Sequence, residues 1–287
     1  LYKQESIDDE WKQELINKLF PIKAKDIDMD GALQLKYKKI PKNLYRYRPF
    51  ENRSIKNYNP INELKEEVIW LNSADGLNDP FECMYKVGSS AFLEIYAKAH
   101  GTPAPLEIKK DLEKFCRSIP GHDESIELLK ESTYICCFSE LNDSKLMWSH
   151  YADSHKGFCI EYDFKNEHTD EELKQNLFPV LYREELFDIV PYGLKNDDLN
   201  PLIEIYLAMF KEISWKYEQE WRLIFPMGKS ESFSRRGPTI SAIYLGAKID
   251  EENKQKLIEI ARAKDIDVYQ MEIDGYNLNS NLIEKKD

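Results

Sequence analysis

The sequence predicts an α+β protein with a mixed, mostly antiparallel, split sheet, flanking helices and a helical insertion. Three observations predict it. Short segments of period-two alternation recur along the chain, as in LYRYR at 44–48 and GFCIEYDF at 157–164. Strand-like segments mostly follow one another instead of alternating with helices, which disfavours a doubly wound sheet. Helical periodicity is concentrated in the first twenty residues, in one block at 89–131 and in two later stretches.

Taken in order, SIDDEWKQELINKLF places Trp11, Leu15 and Leu19 four residues apart behind cap candidates Ser6 to Asp9, predicting an amphipathic helix over about 7–20. A polar connector follows. In PKNLYRYRPFENRSI, Tyr45 and Tyr47 alternate with Arg46 and Arg48, a short strand with two guanidiniums on one face. EEVIWLNS (66–73) is the next strand, and ADGLNDPFE is a loop dense in turn formers. The insertion at 89–131 is broken by GTPAP and by PGHD. STYICCFSE (132–140) is strand-like, a short helix capped by Asp143 or Ser144 ends near Gly157, and GFCIEYDF alternates cleanly. Then come a strand at 177–183, a long helix at 199–214, strands at 219–225 and 240–246, a helix at 250–264 and a strand at 267–273. The sum is about seven strands in a single domain over 1–287, without internal repeats.

Composition bounds the function. Hydrophobic residues at 42% and aromatics at 12% are enough for a large core, which excludes a disordered chain. Forty basic against 52 acidic residues give a net charge of -12, which argues against broad capture of nucleic acid or an anionic membrane. Five cysteines without a CxxC read as reduced core residues. No apolar run approaches a bilayer span and no signal-like stretch opens the sequence, although it begins at Leu1, so the expected setting is cytoplasmic, with no membrane partner.

Three groups of residues could carry chemistry. In WKYEQEWRLIFPMG (215–228), an extended chain puts Glu218, Glu220 and Arg222 on the face opposite Tyr217, Trp221, Leu223 and Phe225. Two carboxylates about 7 Å apart repel unless a cation lies between them. The arrangement suits either a solvent-facing strand with Arg222 as counterion or an acidic pair around a cationic reaction centre. In the block from Phe138 to Asp163, Ser139, Trp148, His150 and Tyr151 are compressed between two strands. They suit a planar heteroaromatic ligand, or else a core with a structural histidine. Arg46 and Arg48 could fork onto a phosphate or pair with Glu51 on a surface. His150 and His155 are five apart, which misses helical zinc spacing, so no metal is expected. GxSxG, P-loop and GxGxxG motifs are absent.

LYRYR, LNDPFE, CFSELNDSKLMWSHYADSHKGFCIEYD, WKYEQEWRLIF and IYLGAKI together resemble the bacterial family catalogued as domain of unknown function 2971, over residues 44–249. An early arginine (Arg46 or Arg48), Ser139 and Glu218-x-Glu220 also resemble, in order, the Arg, Ser, Glu-x-Glu plan of the mono-ADP-ribosyltransferases. That second resemblance implies a split sheet with NAD as substrate in the cleft. It assigns an arginine to the phosphates, Ser139 to support of the site, Glu220 to the oxocarbenium-like ribose and Glu218 to the acceptor. Tyr47, Trp148 or Tyr151 would stack on nicotinamide. Ser139 departs from that family's pattern, standing in Phe-Ser-Glu and not in a Ser-Thr-Ser run, and His150-Tyr151 could belong instead to the branch that uses a His and Tyr pair. The expected activity is cleavage of the nicotinamide–ribose bond to modify a protein or nucleic-acid acceptor, or hydrolysis of NAD, as in a bacterial toxin or antiphage effector. Two rivals stay open: a hydrolase or nuclease with His150 as base beside Glu161 or Asp163, and a non-catalytic sensor that binds a nucleotide or a phage protein.

Overall fold

The computed structural model describes residues 9–21, 23–50, 59–119, 121–193, 200–228 and 233–285. Helix α1 (Glu10–Leu19) turns Leu15, Ile16 and Leu19 inward; the expected start near residue 7 lies outside the described residues. The supposed polar connector contains a second helix, α2 (Met29–Lys39), whose N-cap Asp28 accepts the Gly31 N–H at 3.0 Å. Its inward face carries Lys36, fully buried, with Nζ donating to the Gln175 carbonyl and lying 4.0 Å from the centre of the Phe178 ring. A lysine at a core position hid the helical period.

Strand β1 (Asn43–Arg48), helix α3 (Ile61–Glu66), strand β2 (Val68–Ser73) and the short β3 (Tyr85–Lys86) lead into three helices, α4 (Ser90–His100), α5 (Leu106–Arg117) and α6 (His122–Ser132). Strand β4 (Thr133–Ser139) runs into α7 (Lys145–Tyr151), which Ser144 caps, and then into β5 (Phe158–Asp163). Gly157 is obligatory at that turn, because a Cβ there would come within 2.1 Å of the Arg48 carbonyl oxygen. After α8 (Glu171–Gln175), the strand expected over 177–183 breaks at Val180 into β6 (Leu177–Pro179) and β7 (Leu181–Arg183). The two halves pair with different neighbours, which explains the break.

Strand β8 (Phe187–Asp188) and helix α9 (Val190–Gly193) follow. The long helix expected at 199–214 is instead α10 (Ile203–Ala208), then β9 (Phe210–Glu212) and a 3-10 turn over Ile213–Glu218. Strand β7 captures the backbone of that segment: the two pair in parallel, and the Leu181 N–H donates to the Met209 carbonyl at 2.8 Å. Strands β10 (Glu220–Pro226), β11 (Phe233–Arg236) and β12 (Thr239–Leu245), helix α11 (Glu251–Lys264) and the hairpin β13 (Asp267–Asp274) and β14 (Asn277–Glu284) complete the chain. The described residues thus hold fourteen strands where about seven were expected, because several are fragments of two or three residues.

The main sheet has ten strands in the path β11-β2-β4-β1-β5-β12-β13-β14, with β10 on β4 and β6 on β10. Every pairing in it is antiparallel except β12 with β13, so the α+β, mostly antiparallel expectation holds. Both faces are covered around β4 and β10. Cys136, Phe138, Trp221 and Leu223 join one core, while Ile135, Phe178 and Ile224 join another beneath α1 and α10. Strand β10 is therefore buried on both sides, and the solvent-facing edge considered for Glu218, Glu220 and Arg222 does not exist.

One irregularity positions the site. Strand β4 is paired along one edge by β10 for seven residues. Along its other edge it meets β1 only at Tyr45↔Ser139 and β2 only at Asn72↔Ile135 and Ser73↔Tyr134. Between those contacts the sheet parts.

Candidate functional site

A cavity of 160 Å³ occupies this gap. Strand β1 contributes Tyr45 to Arg48, β4 contributes Cys137 to Ser139, α7 contributes Tyr151, and the loop after β2 contributes Asn78 and Glu82. Lys211, Glu218 and Glu220 close it. Four segments remote in sequence thus converge on one hollow.

The two glutamates reach it through a kink and not along a flat strand. Glu218 ends the 3-10 turn, Gln219 takes the left-handed conformation at φ +43°, and Glu220 opens β10. Ser139 fixes the turn: its hydroxyl donates to the Glu218 carbonyl at 2.6 Å and accepts the Leu141 N–H at 3.1 Å. The Glu140 N–H also holds the Gln219 carbonyl, at 3.0 Å.

Both carboxylates are buried and share Lys211, whose Nζ lies 2.5 Å from Glu218 Oε2 and 2.9 Å from Glu220 Oε2. Arg222, fully buried, donates from Nε to Glu220 Oε1 at 2.8 Å and from both terminal nitrogens to Glu82 at 2.7 Å. Three carboxylates against two cations leave one excess negative charge in a water-poor setting. The cation expected between the glutamates is therefore present. It is Lys211, and Arg222 binds Glu220 from the far side.

This asymmetry drives the two glutamates apart. Burial, followed by the charge of Glu220, raises the Glu218 carboxyl above the usual range against the pull of Lys211. Burial acts on Glu220 in the same sense, but Arg222 and Lys211 overcome it and hold that carboxyl well below the usual range. Lys211, desolvated yet surrounded by Glu220, Glu82 and Glu218, is held firmly as the ammonium. Tyr151 donates to Glu218 Oε1 at 2.7 Å and accepts from Asn78 Nδ2 at 2.9 Å; burial and the Glu218 charge push its phenol up, so it stays a donor.

On the opposite wall the arginines are already engaged. Arg46 Nη1 donates to Glu63 Oε1 at 2.7 Å and Nη2 to the Trp70 carbonyl at 3.1 Å, while Arg48 Nε meets Glu63 Oε2 at 2.7 Å. Glu63, wholly buried on α3, is a counterion to both arginines; the expected counterion Glu51 lies outside the described residues. Tyr47 lines the cavity with its hydroxyl tied to the Leu141 carbonyl at 2.7 Å. A second cavity of 270 Å³ shares Glu220 and is lined on its other sides by Lys12, Glu140, Tyr182 and Lys216 among others.

Residues 147–223 match the family model described as Protein of unknown function (DUF2971). The matched stretch contains α7 from Met147 onward, Lys211 and both glutamates, but not the arginines of β1. No curated protein and no solved structure matches the chain. Among the described residues no helix is long and apolar enough to cross a membrane.

Of the residues singled out from the sequence, Arg46, Tyr47, Arg48, Ser139, Tyr151, Glu218 and Glu220 line the cavity. Trp148 and His150 do not. The period of α7 turns Met147 and Trp148 inward and Ser149 and His150 outward. Trp148 is fully buried, donates its indole N–H to the Asn142 carbonyl at 2.8 Å and meets Tyr47 edge-on at 5.3 Å, so it is core and not a stacking platform. His150 is exposed on the helix exterior, 6.4 Å from the Tyr217 ring. Glu161, its supposed partner, is buried and bound by Asn43, Ser241 and Tyr244. Lys211, Glu82 and Asn78 were missed. The available signal for Lys211 was a lone lysine inside the apolar run LAMFKEI.

Proposed function

We propose that this gap in the sheet is an ADP-ribosyltransferase-like active site that cleaves the nicotinamide–ribose bond of NAD, passing the ADP-ribose to water or to a protein or nucleic-acid acceptor. The observation that carries the proposal is the divided pair of carboxylates at the cavity wall: Glu220 fixed as an anion, Glu218 raised and hydrogen-bonded to Tyr151. Environments that drive two neighbouring carboxyl groups apart are how one site acquires a permanent charge and a proton acceptor.

The division of labour follows from the hydrogen bonds. Bond cleavage leaves positive charge on the ribose, and the excess negative charge of the network favours it electrostatically. Glu218 is the group with a proton to exchange, and it takes the hydrogen from the attacking hydroxyl. Tyr151 orients Glu218, and Asn78 in turn supports Tyr151. At 160 Å³ the cavity falls below the roughly 300 Å³ at which small-molecule pockets usually begin, so it would take the nicotinamide ring and leave most of the dinucleotide outside. Such an activity suits a toxin or an antiphage effector.

A second reading, a cleft that binds a nucleotide without turning it over, is favoured by one observation: Glu220 and both arginines already have charged partners within the protein. One experiment separates the two. Purified protein is incubated with NAD, and free nicotinamide is followed for wild type and Glu218→Gln, with NAD binding measured by calorimetry. Release that disappears in the variant while binding persists supports catalysis. Binding without release in either protein supports the second reading, and absence of both rejects NAD as the ligand.

A further inference from the structure

We propose that β14 is a docking edge for a second copy of this chain, the two strands running antiparallel about a two-fold axis at Ser280. Strand β14 ends the ten-stranded sheet, and among the described residues it pairs only with β13. An edge of this length is ordinarily blocked by a lysine, a proline or a bulge. Here positions 277–283 read NLNSNLI, with no charge and no proline, and the register of β14 on β13 is regular from Asn277 to Leu282, its one irregularity falling at Ile283.

The geometry selects which backbone groups face outward. Asp274 and Asn277 close a two-residue turn whose first member, Gly275, has φ +59°, the residue and sign that a II′ hairpin turn requires. In such a hairpin the closing pair exchanges hydrogen bonds, so Asn277, Asn279 and Asn281 direct their N–H and C=O groups to β13. Leu278, Ser280 and Leu282 direct theirs to the open edge.

The partner follows from the sequence of the edge. Leu278-Asn279-Ser280-Asn281-Leu282 reads the same in both directions, so a two-fold antiparallel pairing sets Ser280 against Ser280, Leu278 against Leu282 and Asn279 against Asn281. Leu278 is buried with Met271 in the third core cluster, whereas Leu282 is 47% exposed on the same face. Pairing brings the exposed leucine of each copy beside the buried leucine of the other and extends that cluster across the axis. On the opposite face, asparagine meets asparagine. Glu284, already bound by Arg262 at 3.0 and 2.8 Å, lies beyond the irregularity at Ile283 and so outside the five paired positions, among which no charges are opposed. A single edge pairing buries less than the roughly 1,600 Å² of a standard interface, so association is weak and concentration-dependent.

The test is sedimentation equilibrium of the full chain from micromolar to submillimolar concentration. A monomer–dimer equilibrium is expected for the wild type. Ser280→Pro removes an outward N–H without touching the β13 ladder, and Leu282→Lys places a charge at the joint; each weakens dimerisation by roughly tenfold or more with circular dichroism unchanged. Ser280→Cys forms a disulfide-linked dimer under mild oxidation, whereas Asn277→Cys, three residues from the axis, does not. Should Ser280→Pro lose its fold, Leu282→Lys carries the comparison. A wild type that stays monomeric throughout, variants that associate as it does, or equal cross-linking at 277 and 280 would each overturn the proposal.

Discussion

Tyr151 donates its phenolic hydrogen to Glu218 Oε1 at 2.7 Å across 67 residues of chain. This bond joins α7 to the segment before β10 at the cavity wall, and under the proposed function Glu218 is the first residue to substitute. Glu218→Gln keeps the volume and a hydrogen-bonding oxygen but cannot take up a proton. Nicotinamide release is expected to fall by about 10²- to 10⁴-fold with little change in melting temperature. In the wild type the rate should rise with pH through a value above that of an ordinary glutamate, because Glu218 must be ionised to act and its carboxyl is raised. A rate flat across that range would remove Glu218 as the proton acceptor.

Lys211→Met leaves Glu82, Glu218 and Glu220 facing Arg222 alone. Uncompensated buried charge of this kind costs about 3–5 kcal/mol, which urea denaturation would register as a lowered midpoint. Combining it with Glu218→Gln should recover part of the loss, so the double variant is more stable than the sum of the two single effects requires.

Lys36 provides a pH signature of its own. Burial pulls its ammonium down from 10.5 to about 7, even though it lies over the Phe178 ring. The unfolded chain therefore binds more protons than the folded one between about pH 7 and 10.5, and stability rises with pH across that window by up to about 1.4 kcal/mol per unit. Lys36→Met should raise stability at pH 7 and flatten that slope, as measured by urea midpoints at several pH values.

Gly157→Ala brings a Cβ to within 2.1 Å of a main-chain oxygen on β1, and neither backbone can yield without disturbing the β1–β5 ladder. A loss of more than about 2 kcal/mol is expected, visible as a lower melting temperature.

Much of the sheet was legible because its strands alternate: Tyr45 to Arg48 and Phe158 to Tyr162 divide their side chains between two faces just as period two requires. What escaped did so for identifiable reasons. Helix α2 hides behind Lys36, a charged residue at a core position. The run IYLAMF supports helix and strand equally, and its pairing with β7 decides the matter only in three dimensions. At the site, order along the chain was enough to gather Arg46, Arg48, Ser139, Glu218 and Glu220. Their counterions Glu63, Glu82 and Lys211 were missed because these buried ion pairs join residues 7 to 140 positions apart with no common spacing. Trp148 was misjudged because its indole finds its partner, the Asn142 carbonyl, inside the core.

The meeting of β1 and β4 at a single residue pair, Tyr45 and Ser139, gives the molecule a soft seam. Strand β4 is held to β10 by a ladder of seven pairs, whereas across the cavity one backbone rung joins β1 to β4 and side-chain bonds from Arg46, Tyr47 and Arg48 add further ties. Ser139, the partner of that one rung, also holds the Glu218 carbonyl, so any widening of the hollow is mechanically linked to the placement of that residue's carboxylate.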